Sequence, residues 1–215
     1  MTEAVIFDMD GVLTDSEPVI NAAAIAGLRE FGVDAAPEDF IPFVGAGEDR
    51  YIGGVAELHG KTYVPEMKKR VYEIYLEILP ERIRSFPGVH ALLETLRGRQ
   101  IPVAVASSAD RVKVDANLKG IGLRLDAFAA IVAGEDVKNK KPDPAIYLFA
   151  AEQIGTPARD CCVIEDAIHG IEAAKAAGMR CVAVEHSFGK DQLLSARPEV
   201  IRERIAQVTL QDLGL

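Results

Sequence analysis

The chain of 215 residues carries 24 Lys and Arg against 33 Asp and Glu, a formal charge of −9, and 49% of its residues are hydrophobic. That length and apolar content suit one large core, either a single domain or a domain carrying an insertion. The acidic balance argues against nucleic-acid or anionic-membrane partners, which need clustered basic side chains. A small anionic ligand stays compatible, because one metal ion or one placed lysine reverses the field locally.

No run of about 18 apolar residues is long enough to span a bilayer. The opening MTEAVIFDMD lacks the basic and apolar regions of a secretory signal. Cys161, Cys162 and Cys181 are odd in number and lie in short apolar segments, so they read as buried thiols in a reducing, cytoplasmic setting.

In chain order, the first apolar run is Ala4-Val5-Ile6-Phe7. Helical periodicity follows over Glu17 to Phe31, Asp49 to His59 and Pro65 to Leu79, with no convincing strand between Asp15 and Phe86. The turn signal Ser85-Phe86-Pro87-Gly88 closes this stretch. Apolar runs then recur at Pro102 to Ala106, Ala129 to Val132, Cys161 to Ile164 and Cys181 to Val184. Segments of helical period, Gly88 to Arg99, Asp110 to Lys119, Asp143 to Gln153 and Ala167 to Ala177, lie around them. Continuous rather than alternating apolar runs suit parallel strands covered on both faces. The expected fold is therefore α/β: a doubly wound, Rossmann-like parallel sheet formed by residues 1–14 and 87–215, with residues 15–86 inserted as a small helical cap.

In such a sheet ligands bind beyond the carboxyl ends of the strands. The residues just past the runs are Asp8 and Asp10, then Ser107 and Ser108, then Lys138 to Lys141, then Glu165 and Asp166. Four carboxylates gathered at one edge raise one another's pKa and call for a cation. An oxygen-only donor set suits Mg²⁺, which is commonly shared with a substrate phosphate. Ser107, a lysine and free backbone N–H groups would receive that phosphate. The stretch D-M-D-G-V-L-T-D-S-E does not fit a calcium loop, since Val12 and Leu13 stand where an EF-hand needs a ligand and a glycine.

Asp8-Met9-Asp10-Gly11-Val12-Leu13-Thr14-Asp15 resembles the first motif of the haloacid dehalogenase superfamily. Ser107, Lys141 of Lys141-Pro142-Asp143-Pro144, and Glu165-Asp166 are similar to its second, third and fourth motifs, in order. The helical insertion resembles the cap of the β-phosphoglucomutase-like subgroup. The resemblance implies that Asp8 attacks phosphorus, forming an aspartyl-phosphate, and that Asp10 serves as acid and then base. It also implies that Ser107 holds phosphoryl oxygens and that Lys141 offsets charge. Mg²⁺ would be held by Asp8, the backbone carbonyl of Asp10 and Asp166, with Glu165 as a ligand or as support for one. The loop carrying Gly45, Glu48 and Arg50 would face the leaving group, with Ser108 also near the substrate.

These residues lead to the expectation of a Mg²⁺-dependent phosphatase acting on a small phosphorylated metabolite, a sugar phosphate in particular, as a monomer or weak homodimer. The first alternative is a β-phosphoglucomutase-type mutase. Its cap histidine and phosphate-gripping arginine correspond here to Ile20 and Glu48, and an acidic Glu48 would repel a second phosphate. A phospho-acceptor signalling module is a further alternative, although its acceptor lies on a middle strand and it lacks a helical insertion. Dehalogenation is disfavoured by Asp10, and a phosphonatase would need a Schiff-base lysine, for which Lys61, Lys68 and Lys69 are the available residues. His59, His90, His169 and His186 share no metal-binding spacing.

Overall fold

A computed structural model describes residues 1–44 and 47–215. Six parallel strands form the main sheet in the order β5-β4-β1-β6-β7-β8. They are β1 (Ala4–Phe7), β4 (Val103–Ala106), β5 (Ala130–Val132), β6 (Cys161–Glu165), β7 (Arg180–Val184) and β8 (Val200–Arg202). β1 sits centrally, in register with β4 through Val5 and Val103 and with β6 through Val5 and Cys162. All four of its side chains are fully buried, as expected for a strand covered on both faces.

Alternate residues of the strands feed two cores. Val5, Phe7, Val105, Ile164 and Val182 pack with α4 (Val89–Gly98), α5 (Arg111–Gly120) and Leu213 of α9 (Leu210–Leu213). Ala4, Ile6, Ala104, Ala106 and Val163 face α6 (Ala145–Ile154), α7 (Ile168–Ala176) and α8 (Lys190–Leu193). The three cysteines are free and buried, on β6 and β7. Among the described residues no helix is long and apolar enough to cross a membrane.

Between β1 and β4 the chain makes a helical insertion: α1 (Glu17–Arg29), a 3-10 segment at Pro37–Phe43, α2 (Glu48–Leu58) and α3 (Pro65–Arg82). Pro18 and Pro65 lie in the first turns of α1 and α3, where no intrahelical N–H bond is lost. Val19, Ile20, Ala23 and Leu28 of α1 join Val71, Tyr75 and Leu79 of α3 in a core continuous with one face of the sheet. α3 runs through Pro80 to Arg82, three residues beyond the expected Leu79. A proline so near the C-terminus interrupts little, and Ile83 N–H still reaches Leu79 O at 2.9 Å.

Two expectations about strands need correction. Thr14–Asp15 (β2) and Arg84–Ser85 (β3) pair antiparallel where the chain leaves the sheet for the insertion and returns. Two residues carry no periodic signal, so this ribbon is set by the meeting of the crossings. The sixth strand, β8, is also absent from the sequence reading. Its three residues, Val-Ile-Arg, are half-buried at the sheet edge and too short to announce a strand.

Candidate active site

The carboxyl edge of the sheet and the insertion enclose a cavity of about 360 Å³, a size suited to a small metabolite. Asp8 follows β1 at its floor, and its backbone N–H is fixed by Ile164 O at 3.0 Å. Lys141 Nζ donates to Asp8 Oδ1 at 2.5 Å and to Glu165 Oε1 at 2.8 Å. All three side chains are buried. Burial pushes the Asp8 carboxyl up to about 7 even though Lys141 pulls it down. Burial disfavours the Lys141 charge as well, but Asp8 and Glu165 outweigh it and hold the ammonium firmly protonated.

Glu165, the last residue of β6, has both oxygens engaged. Oε1 accepts from Lys141 and, at 3.2 Å, from the Tyr147 hydroxyl; Oε2 accepts the backbone N–H groups of Asp166 and Ala167 at 2.6 Å each. That geometry suits support of the site better than metal ligation. Asp166 is held through Oδ2 by the Ser187 hydroxyl at 2.6 Å and the Ser187 N–H at 3.2 Å. Burial, then the charges of Glu165 and Asp8, raise its pKa well above the carboxylate range.

Gly11 and Gly170 wall these acids. A Cβ on Gly11, whose φ is +87°, would fall inside the Asp166 carboxylate, and one on Gly170 inside that of Glu165. Only glycine lets the backbone come so close. Ser107 Oγ accepts from Ala109 N–H at 3.1 Å, which leaves its proton for another acceptor. Ser108 Oγ is buried at the cavity and has no hydrogen-bond partner among the described residues.

Asp10 is held between Ser16, where the insertion begins, and two residues of α5. Its Oδ1 accepts from Ser16 Oγ and, at 3.2 Å, from Asn117 Nδ2, while Oδ2 lies 3.1 Å from Lys113 Nζ. The same ammonium donates to Glu48 Oε1 at 2.8 Å. Lys113 and Asn117, both buried on α5, are functional candidates that the sequence reading missed. Their only trace in the sequence is a pair of polar residues at i and i+4, adjacent to the apolar Val114 and Leu118. Ser187, in the loop after β7, carried no signal.

The structure brings Asp8, Asp10, Ser107, Ser108, Lys141, Glu165, Asp166 and Glu48 to the cavity wall. Arg50 is not brought there. Its guanidinium donates to Glu57 at 2.7 Å on the exposed side of α2 and lies 4.9 Å from the Phe43 ring centroid. Gly45 lies outside the described residues. Lys68 is held by Asp49 at 2.9 Å and Asp110 at 3.0 Å. Burial lowers its pKa, but these partners carry it above the usual value, opposite to the need of a Schiff-base lysine.

The donor set fits a Mg²⁺ ion. Asp8 and Asp166 are buried acids whose pKa values are raised by burial and by neighbouring carboxylates, and no cation bonds Asp166 among the described residues. Among the described residues no three His, Cys, Asp or Glu side chains converge as a ready cage. Magnesium does not require one, since it commonly takes one or two carboxylates and fills its shell with carbonyl, water and phosphate oxygens.

Residues 5–184 match the family described as haloacid dehalogenase-like hydrolase. The chain is 34% identical over 194 residues to a phosphorylated carbohydrates phosphatase of Thermotoga maritima, covering 89% of each protein. It is 45% identical over 214 residues to Protein SUPPRESSOR OF QUENCHING 1, chloroplastic, of Arabidopsis thaliana, covering 98% of this chain but only 20% of that protein. Its fold superposes with a TM-score of 0.90, at 25% identity and over 100% of both chains, on CbbY from Rhodobacter sphaeroides, solved in complex with phosphate. The chain belongs to the haloacid dehalogenase-like hydrolases.

Proposed function

We propose that this chain is a Mg²⁺-dependent phosphatase that hydrolyses the monophosphate ester of a small metabolite, a sugar or polyol phosphate, through an aspartyl-phosphate on Asp8. The observation that carries this reading is the pairing of buried Asp8 with Lys141 in the cavity between the sheet edge and the insertion. Lys141 occupies one oxygen of Asp8 and leaves the other to attack phosphorus. As the Asp8–phosphorus bond forms, the ester bond breaks, and Asp10 gives a proton to the leaving oxygen. Asp10 then takes a proton from water, whose oxygen attacks phosphorus and releases Asp8. Ser107 and Ser108 donate to phosphoryl oxygens, and Lys141 balances their charge. Asp8, the Asp10 carbonyl and Asp166 would hold Mg²⁺, which offsets the charge gathering between nucleophile and phosphate. Residues 15–86 act as the cap that excludes water.

The cavity wall beyond Asp8 also bears on the acceptor. Lys113 and Lys141 line it, and each is already shared between two carboxylates. Among the described lining residues no other Lys or Arg is available to grip a second phosphate. Ile20, Ile41, Phe43 and Val44 give an apolar side, with Tyr51 and Glu48 as groups for hydroxyls. This favours hydrolysis of a monophosphate over relocation of phosphate on a bisphosphate. The relative from Thermotoga maritima, named for phosphorylated carbohydrates, supports the same substrate class.

The test is a phosphate-release screen over hexose, pentose and polyol monophosphates with Mg²⁺, with Asp8→Asn as control. Release that depends on both Mg²⁺ and Asp8 is expected. No such release from any of them, together with interconversion of glucose 1-phosphate and glucose 6-phosphate under a bisphosphate primer, would overturn the reading in favour of a mutase.

A further inference from the structure

We propose that Tyr147 is a positioning residue that keeps Lys141 aimed at Asp8, acting through Glu165; the inference rests on the phosphatase reading above, in which Asp8 attacks phosphorus. Tyr147 lies in the first turn of α6 and is fully buried. It is not among the residues that line the cavity, so any effect it has on the reaction passes through a neighbour. In the sequence it sits inside Ala-Ile-Tyr-Leu-Phe-Ala, where an aromatic residue reads first as core.

The structure gives it two polar contacts, one with each member of the ion pair beside Asp8. Its hydroxyl donates to Glu165 Oε1 at 3.2 Å, and Lys141 Nζ lies over its ring, 4.8 Å from the centroid. A ring face attracts a cation, so the ammonium has a fixed neighbour besides the two acids.

Lys141 has three N–H donors and three acceptors: Asp8 Oδ1 at 2.5 Å, Glu165 Oε1 at 2.8 Å and the Ala106 carbonyl at 3.4 Å. How the ammonium divides between the acids depends on how strongly each draws it. Glu165 Oε1 draws less while it also accepts the Tyr147 hydroxyl. Without that hydroxyl, Glu165 has the ammonium alone on this oxygen and pulls it from Asp8. Glu165 itself cannot turn to follow. Its other oxygen holds the N–H groups of Asp166 and Ala167 at 2.6 Å each, and the Gly170 backbone packs against its carboxylate. The ammonium is therefore the group that moves.

The probe is p-nitrophenyl phosphate with saturating Mg²⁺. Tyr147→Phe keeps the ring and removes the hydroxyl. It is expected to lower kcat about tenfold, the scale of one hydrogen bond to a charged group. KM and the Mg²⁺ concentration giving half the maximal rate should stay within about twofold of wild type, since Tyr147 does not line the cavity. Tyr147→Leu, which lacks the ring as well, should fall further. Glu165→Gln removes the acid through which Tyr147 acts. Adding Tyr147→Phe to it should leave kcat within about twofold of Glu165→Gln alone, and the two melting-temperature losses should likewise fail to add.

A core aromatic whose hydroxyl merely finds a partner would lose stability without losing rate. A folded Tyr147→Phe with a lowered melting temperature and unchanged kcat would therefore overturn the proposal. Losses that multiply in the double variant, or a rise in KM matching the fall in kcat, would do the same. If Tyr147→Leu fails to fold, Tyr147→Phe and the double variant decide. Melting temperatures that fail to add, in a protein that releases no phosphate, would remove the phosphatase reading and keep the link from Tyr147 through Glu165 to Lys141; additive ones beside an active wild type would break the link and keep the phosphatase.

Discussion

Lys141 Nζ stands 2.5 Å from Asp8 Oδ1, joining the first strand to a loop 133 residues further along the chain. The same ammonium holds Glu165, so one cation orders Asp8 and its neighbouring acid. Replacing it by Met should lower kcat for phosphate release by about 10²–10³, the usual cost of losing one placed electrostatic contact. Arg should rescue poorly, because the buried gap between the two acids is shaped for a compact ammonium. Steady-state rates of the two variants check this.

The raised pKa of Asp8 has consequences for the metal-free protein. Its carboxyl titrates near 3.8 when unfolded and near about 7 when folded. Its contribution to stability is fully present below 3.8 and is lost as pH rises through about 7. Asp8→Asn should therefore raise the melting temperature relative to wild type increasingly from about pH 4 to about pH 7, with a plateau above. Saturating Mg²⁺ should shrink the difference by stabilising the ionised acid. Thermal melts across pH, with and without the metal, read both effects.

Gly170 gives way to the Glu165 carboxylate. Gly170→Ala should displace Glu165 from Lys141, destabilise the protein by about 1–3 kcal/mol as other overpacked sites do, and reduce kcat. Gly98, which closes α4 with nothing within 4 Å of a built Cβ, is the control. Gly98→Ala should be neutral or stabilise by up to about 1 kcal/mol. Denaturant unfolding of both variants separates the cases.

Ser187 holds Asp166 through its hydroxyl at 2.6 Å. If Asp166 binds Mg²⁺, Ser187→Ala should weaken the metal about 10–100-fold, as is common when the partner of a ligand is lost, with little change in kcat at saturating Mg²⁺. Activity titrated against the metal tests this. Glu165→Gln should behave differently, with reduced kcat that added Mg²⁺ does not restore, because both oxygens of Glu165 serve Lys141, Tyr147 and the backbone.

Much of the site was legible in the chain because of where its residues fall. Asp8, Ser107 and the pair Glu165-Asp166 lie just after apolar runs that suit buried parallel strands, and such strands carry the residues at their carboxyl ends to one edge. Order along the sequence therefore became proximity in space without knowledge of any contact. The helical insertion was legible too, from three periodic segments between the first two runs.

Lys113, Asn117 and Arg50 were settled by the tertiary structure alone. Each lies on a helix, and a helix can present the same residue to solvent or to the cavity depending on its rotation against its neighbours. α5 turns Lys113 inward because Val114 and Leu118 must reach the sheet, and Asp10 after β1 and Glu48 of α2 meet it there. α2 turns Arg50 outward, where Glu57 and the Phe43 ring receive it. The sequence by itself determined which groups stand at the strand ends; packing decided which helix faces join them, since the burial of apolar neighbours sets the rotation of each helix.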